Sequence, residues 1–196
     1  KKASATVSGG TDKFKLLVST STEEGDQYKD GNGDTFSEQQ VKKGMTSATQ
    51  YSNKDQKAYE KKTLLTKGQY NITDDSELKL SYTANRSDEI LYPAGSMDAD
   101  YDDSNIYTVG YTARNLGKFS KELDLDYYYS DVDHPMSTKL RNSGASYMTA
   151  RYKTSANGEK IKNVMEVADS LVTVGLDTSV RNWKGDMYST NRTNGA

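Results

Sequence analysis

Apolar and polar residues alternate with a period of two along much of the chain, and this pattern predicts β-strands. The clearest case is KELDLDYYYS, in which Leu123, Leu125, Tyr127 and Tyr129 fall on one face and acidic residues dominate the other. Four further segments alternate in the same way: KFKLLVSTS, SELKLSYTANR, IYTVGYTARN and LVTVGLDTSV. Three segments alternate more weakly: ASATVSG, AYEKKTLLTKGQYNI and SYMTARYKTS. The sequence therefore predicts an all-β fold of about eight antiparallel strands, without a helix.

The connections between these strands differ in length in a regular order. Short turns (GGTD, TDDS and NLGKFS) alternate with long polar connections. The predicted long connections are 23–56, 87–105, 131–145 and 183–196, and a connection of medium length covers 156–170. Pro93 and Pro135 both fall in long connections, as expected for a residue that cannot donate to a strand ladder. Short turns at one end and long loops at the other are typical of a transmembrane β-barrel.

The pattern as a whole predicts an antiparallel up-and-down meander that forms part or all of a transmembrane barrel of about eight strands. Strands of about 9–11 residues match a tilted membrane crossing. Five residues are expected to face lipid: Leu123, Leu125, Val172, Val174 and Leu176. The acidic residues opposite them would line a wet lumen, and Tyr127, Tyr128, Tyr129 and Trp183 would form an aromatic girdle. The alternative is a soluble antiparallel sheet in which the same apolar side chains face a protein core.

Composition favours the membrane interpretation and narrows the possible functions. Of the 196 residues only 33% are hydrophobic and the mean hydropathy is −0.90, which is poor provision for a large soluble core. The 15 tyrosines argue against simple disorder, and the net charge of −2 argues against nonspecific nucleic-acid binding. The chain has no cysteine and one histidine, so a cysteine zinc site and a cluster of histidines are excluded. It begins KKASATVSGG, which does not resemble a signal peptide.

Two acidic segments invite a specific chemical interpretation. YKDGNGDTFSEQQV resembles a calcium loop beginning at Asp30, but the glycine position holds Thr35 and the bidentate glutamate position holds Val41. This segment is therefore expected to be an external loop.

Asp124 and Asp126 lie about 7 Å apart along one strand face, a spacing compatible with inverting glycoside hydrolysis. Lumen lining explains both carboxylates without a catalytic cleft, and we expect no enzyme. Asp98, Asp100, Asp102 and Asp103 are expected to be a solvated loop surface.

Four stretches resemble the barrel portion of TonB-dependent outer-membrane receptors. They are STSTEEGDQYKDGNGDTF, LSYTANRSDEILYPAGSMDADYDDSNIYTVGYTAR, LDYYYSDVDHPMS and LVTVGLDTSVRNW. The resemblance implies a bacterial outer-membrane location, contact with lipid, and uptake of a metal complex such as a siderophore, cobalamin or copper. Family members also carry an N-terminal plug that contacts the TonB system and a barrel of about 22 strands. Neither a plug nor so many strands is visible here, so the chain is expected to be a segment of a receptor wall.

The short stretch VDHPM resembles the VDHxM stretch of copper-type receptors. It supplies the imidazole of His134 and the thioether of Met136, which are donors suited to copper(I). Met97 lies in another predicted outer loop and is expected to approach them. We predict these three residues as a ligand-binding site, with copper or another metal complex as ligand and no resident cofactor. The alternatives are that His134 caps a turn, and that the chain is a secreted or assembled β-rich structural or carbohydrate-binding module.

Overall fold

The computed structural model describes residues 1–193 and contains eight strands joined into one sheet. The strands are β1 (Lys2–Gly10), β2 (Phe14–Gly25), β3 (Tyr59–Thr73), β4 (Ser76–Ile90), β5 (Asp98–Arg114), β6 (Glu122–Ser137), β7 (Ser146–Val167) and β8 (Ser170–Asn191). They pair antiparallel in sequence order, so the predicted meander is confirmed. Within the described residues β1 and β8 each pair on one side only, and the sheet is open.

The expectation of no helix is wrong in one place. Helix α1 (Phe36–Lys42) lies within the first long connection, and a 3₁₀ turn follows at Ser47–Thr49. Thr35 caps the helix, because its hydroxyl accepts from the Glu38 amide while the Glu38 carboxylate accepts from the Thr35 amide. The pattern of apolar residues gave no sign of so short a helix. No helix among residues 1–193 is long and apolar enough to cross a membrane.

The register between strands joins the apolar faces of the single strands into one continuous surface. One row of mutually paired residues runs through Phe14, Tyr70, Leu78, Tyr111, Leu125, Ile161 and Leu176. The next rows add Leu16, Val18, Leu80, Tyr82, Tyr107, Val109, Tyr127, Tyr129, Val172, Val174 and Val180. We call these residues together the apolar band. Because side chains alternate along each strand, the residues between them form the opposite, polar face.

The apolar band is exposed rather than covered by a second layer. Of the five residues predicted to face lipid, Val174 and Leu176 are 55% and 68% exposed, and Leu125 and Val172 are also exposed. Leu123 is partly buried. The buried apolar residues of the described chain are either alanines or members of a small cluster formed by the connections. Among residues 1–193, no second layer of protein packs on the apolar face of the sheet.

Tyrosines mark one boundary of the apolar band. The rings of Tyr82 and Tyr107 stack with centroids 4.8 Å apart, and Tyr129 follows at 6.2 Å from Tyr107. These three residues pair across β4, β5 and β6 in a single row. Two rows further toward the long connections, the same face carries charged pairs, such as Arg151 with Asp133 at 2.5 Å. The apolar band therefore ends at a line of aromatic rings.

The strands are longer than predicted, so three of the four predicted long connections are shorter. β4 ends at Ile90 and β5 begins at Asp98, which reduces the predicted 87–105 to 91–97. β6 continues to Ser137 and reduces 131–145 to 138–145, while β8 occupies 183–191 of the predicted final segment 183–196. The first connection, 26–58, agrees closely with the predicted 23–56. In place of the predicted medium connection 156–170, the structure has a tight turn at 168–169. Residues 194–196 lie outside the described residues.

These differences arise because side-chain polarity does not mark where the strands end. Backbone ladders form whatever side chains the strands carry, so polar residues beyond the apolar band continue the strands. Pro135 is consequently in β6, and not in a loop as predicted. β5 carries a bulge between Ala99 and Asp103, which leaves His134 and Pro135 without a ladder partner on that side. The missing proline N–H thus falls where the ladder is already interrupted.

Three connections at one end of the sheet, 26–58, 91–97 and 138–145, pack against one another through a buried ion pair. Arg141 and Asp98 are almost fully buried, and the guanidinium donates to both carboxylate oxygens at 2.5 and 2.7 Å. Asp98 is therefore not part of a solvated surface, contrary to the prediction. The Arg141 guanidinium also lies 4.0 Å from the centre of the Tyr51 ring. Arg141 donates further to the carbonyl oxygens of Thr49 and Tyr92, so one side chain bridges all three connections.

Hydrogen bonds and apolar contacts complete this loop cluster, by which we mean Phe36, Tyr51, Leu91, Asp98, Leu140 and Arg141. The Tyr51 hydroxyl donates to Asp98 at 3.0 Å and accepts from Arg141 at 3.0 Å. Burial, and next the negative charge of Asp98, raise the pKa of Tyr51 far above its usual range. Tyr51 therefore stays neutral at physiological pH and serves as donor and acceptor at once.

Candidate ligand-binding site

The structure places His134 and Met136 in β6, where they pair with Tyr152 and Ala150 of β7. The prediction that they lie in a loop is wrong, since the strand continues past the apolar band. The two side chains point to the same side of the strand, about 7 Å apart. Residues of this parity in β6 also form the polar face, so the site stands at the loop end of that face.

His134 lies beside a carboxylate and is partly exposed. Its Nδ1 is 3.4 Å from an Asp102 carboxylate oxygen on the neighbouring strand, and its side chain is 28% exposed. This contact does not resemble the turn cap considered as an alternative, because His134 is inside a strand. A carboxylate on Nδ1 orients the ring and leaves Nε2 as the nitrogen that can meet a ligand.

Met97 and Met136 lie side by side. Both line one shallow apolar depression, whose remaining wall is the connection 92–96. His134 is not part of that wall, so the structure joins two of the three predicted residues and leaves the third two residues away along β6. No group of three or more His, Cys, Asp or Glu side chains within residues 1–193 is arranged to hold a metal ion. Any soft metal here would depend on the two thioethers and the imidazole.

The segment that resembles a calcium loop is a hydrogen-bonded turn. One oxygen of the Asp30 carboxylate accepts from the amides of Asn32 and Asp34, at 2.8 and 3.0 Å. These bonds hold the pKa of Asp30 below its usual range. Asp34 is bound in turn by the Lys42 ammonium at 2.6 Å. The Asp30 and Asp34 carboxylates therefore bind groups of the same segment, as expected for Asp and Asn in turns.

The carboxylates of the polar face are neutralised by cations on adjacent strands. Asp124 accepts from Lys162 at 2.6 Å and from the Thr112 hydroxyl at 2.7 Å. Glu77 and Glu122 are both bound by Arg114, at 2.8 and 3.3 Å. This ladder of charges lies beside a concave cavity of about 870 Å³, lined by residues from β1 to β6. Carboxylates already paired with cations are suited to a hydrated wall, and not to the acid–base chemistry of a glycosidase.

An aromatic pair on the polar face was not predicted. The rings of Tyr152 and Trp183 stack with centroids 5.2 Å apart and planes inclined by 30°. Trp183 does not lie in the aromatic girdle as predicted, because the register pairs it with Thr154 on the face opposite the apolar band. Parity could have shown this, because Val172, Val174 and Leu176 are even-numbered along the same strand and Trp183 is odd. Its nearness to the strand end was the misleading signal.

The fold and its two faces together define a segment of antiparallel barrel wall, with one apolar side and one polar, concave side. Among solved structures, the chain is similar to the copper transporter OprC, with a TM-score of 0.80 and 14% identity. That match covers 100% of this chain and 28% of the OprC chain. A second match is the FrpB iron transporter from Neisseria meningitidis (F5-1 variant, apoprotein form), with a TM-score of 0.48 and 12% identity over 98% of this chain and 41% of that one.

The sequence comparisons give no further assignment. No family model matches the chain, and no curated protein matches it. At 14% identity the likeness to OprC is a likeness of fold. The chain spans 28% of that transporter's length, so it corresponds to a part of the larger protein.

Proposed function

We propose that this chain forms part of the wall of a TonB-dependent receptor. The receptor lies in the bacterial outer membrane and takes up a metal complex. The observation that carries the proposal is the exposed apolar band, continuous through β2 to β8. Exposure of so large an apolar surface to water is unfavourable, whereas lipid chains solvate it well. The fold shared with a segment of a copper transporter supports the same conclusion.

The height of the apolar band agrees with a membrane. On β8 it runs from Val172 to Val180, which are nine residues along the strand. At about 3.3 Å per residue and a tilt of about 40°, this span is about 23 Å high, close to the apolar belt of about 25 Å on outer-membrane barrels. The tyrosine row at its edge fits the interfacial girdle of such barrels. Lipid is thus the first partner of the wall.

The remaining partners follow from the receptor class. The polar face, with its charge ladder, would line the lumen, where a plug domain elsewhere in the parent protein would contact the TonB system. The loop cluster would stand outside the cell. The wall serves transport and not catalysis, because its lumenal carboxylates are already bound by Arg114 and Lys162.

The second candidate is a secreted or assembled β-rich structural or carbohydrate-binding module. In that case another protein layer would cover the apolar band and shield it from lipid. Measuring whether Leu176 and its neighbours contact lipid in a membrane therefore separates the two functions.

For the ligand, we propose copper or another metal complex bound at His134, Met136 and Met97. The support is the depression shared by Met97 and Met136, together with the imidazole on the same strand face. Two thioethers and an imidazole are soft or borderline donors that suit copper(I). The metal is here the transported ligand, and the wall needs no resident cofactor.

Replacing the donors without disturbing the strand should abolish this binding. His134 and Met136 lie in the ladder, so the informative variant is His134→Gln combined with Met136→Leu, which nearly conserves volume. We expect the affinity of the intact protein for copper(I), titrated under reducing conditions, to fall at least about tenfold, since each lost donor weakens the site.

The matched control is Met165→Leu, a methionine near the opposite end of β7 that should leave binding unchanged. Equal copper(I) affinities in the double variant and the natural protein would remove the copper proposal and leave the receptor wall in place.

A further inference from the structure

Six charged residues form one row across the sheet, on the same face as the apolar band and nearer to the long connections. Each residue pairs directly with the next one on the neighbouring strand, from β3 to β8. In strand order they are Lys62, Arg86, Asp103, Asp133, Lys153 and Lys184, and we call them the charged row. Three of the neighbouring pairs are like-charged, and like charges directly opposite each other destabilise a sheet. Strand pairing alone therefore does not explain the row.

The cations of the charged row are open to a further partner. The Arg86 side chain is 42% exposed, and its Nε lies 3.8 Å from an Asp103 carboxylate oxygen. The Lys153 side chain is 60% exposed and shares the Asp133 carboxylate with Arg151, at 3.1 and 2.5 Å. β4 and β7 are inner strands that pair on both sides, so this exposure does not come from a missing neighbour strand. Each cation can therefore bind an anion from outside the sheet.

The height of the charged row above the apolar band matches the depth of a lipid headgroup. The tyrosine row is in register with Val180, and Lys184 follows four residues later on β8. At about 3.3 Å per residue and a tilt of about 40°, the charged row lies about 10 Å beyond the rings. The headgroup region of an ordinary bilayer is about 5–8 Å thick on each side. The row therefore fits a headgroup that extends further than that of a phospholipid.

A depression of about 730 Å³ connects the aromatic rings with the charged row. Its wall begins at Tyr129, continues through the Asn105 amide and the Ser155 hydroxyl, and ends at Arg86 and Lys153. Amides and hydroxyls are hydrogen-bonding partners for sugar hydroxyls, and charged donors bind phosphates strongly. Arg86 and Lys153 are three strand spacings apart, about 14 Å, so a headgroup that contacts both must be longer than one sugar.

We infer that the charged row binds the headgroup of a phosphorylated glycolipid beside the wall. Its phosphates would contact the cations at the two ends of the row, and its sugar hydroxyls would donate to the Asp103 and Asp133 carboxylates between them. The order of charges thus selects a headgroup with two separated phosphates, because the central carboxylates repel a phosphate. The inference rests on the proposed function, since it requires lipid against the apolar band.

The test titrates the intact protein in detergent micelles with lipid A, a glucosamine disaccharide lipid that carries two phosphates, and follows binding by thermophoresis. The variant combines Arg86→Gln with Lys153→Gln, which removes one cation from each end of the row and keeps side-chain length. We expect its affinity for lipid A to fall about 25-fold, since each basic residue lost near an anionic headgroup weakens binding about fivefold.

The matched control combines Lys67→Gln with Lys160→Gln, which removes the same charge from exposed positions of the polar face and should leave binding unchanged. Dephosphorylated lipid A and phosphatidylglycerol should both bind the natural protein much more weakly. The inference is overturned if the Arg86 and Lys153 variant binds lipid A as the natural protein does, or if the control variant loses as much affinity. It is equally overturned if either comparison lipid binds as tightly as lipid A, or if inorganic phosphate displaces it.

A separate measurement distinguishes this inference from the proposed function. A nitroxide at position 176 reports whether the apolar band contacts lipid in vesicles, and it should do so in the natural background and in both variants. Lipid contact at position 176 without binding of lipid A would remove the glycolipid site and leave the receptor wall standing. Loss of lipid contact in the natural background would instead remove the wall, and the glycolipid site with it.

Discussion

Replacing Arg141 by alanine should release the three long connections from one another. Asp98 would then remain buried with its charge unpaired, which typically costs about 3–5 kcal/mol. Arg141 also supplies the hydrogen bonds to Thr49 and Tyr92, so connections 26–58, 91–97 and 138–145 lose a common partner. We expect amide hydrogen exchange in these connections to accelerate by at least about two orders of magnitude, since about 1.4 kcal/mol corresponds to a factor of ten. Exchange in the middle of β3 to β7 should not change.

A double-mutant cycle distinguishes a lost ion pair from general damage. Asp98→Ala alone should be similarly harmful, because it leaves the Arg141 charge buried. The double variant should cost clearly less than the sum of the two single changes, as expected for residues in direct contact. Additive costs, or a single-variant effect below about 1 kcal/mol, would show that the pair does not hold the loop cluster together.

The second large effect is expected from a charge in the apolar band. Leu176→Arg should destabilise the intact protein folded in lipid vesicles by about 2–4 kcal/mol, the cost of arginine on the lipid face near the midplane. In a soluble protein an exposed leucine changed to arginine alters stability by no more than about 0.5 kcal/mol. The structure alone, with Leu176 68% exposed, would suggest the harmless outcome, so the measurement decides what covers this face.

Ser179→Arg is the matched control, because Ser179 is exposed on the same strand but belongs to the polar face. Denaturant unfolding from vesicles should leave this variant close to the natural protein. A Leu176→Arg cost no larger than that of Ser179→Arg would contradict a lipid-facing band.

The faces of the sheet were predictable from the sequence because each strand is two-sided. Leu125 and Leu176 alternate with polar neighbours, and the register only had to line up patterns already present in each strand. Strand ends were less predictable, because β6 continues through Pro135 on backbone pairing that side-chain polarity does not show. Helix α1 is too short for a periodic pattern to reveal it.

The loop cluster could not be predicted at all. Tyr51, Asp98 and Arg141 are far apart in sequence, and each is common in solvated loops, so nothing local indicates that they meet. The metal site stays a prediction. Met97 and Met136 line one depression, but the chain alone did not show that His134 would point from a strand and have Tyr152 as its cross-strand neighbour.

A nitroxide scan along β8 measures whether the apolar band faces lipid. The chain contains no cysteine, so a single cysteine introduced at each position from 172 to 180 carries a label at a unique site within it. In vesicles, the receptor wall predicts that labels at even positions collide freely with oxygen and hardly with a water-soluble nickel chelate, while odd positions show the reverse. Even positions shielded from both reagents, as in a protein core, would contradict a lipid-facing receptor wall.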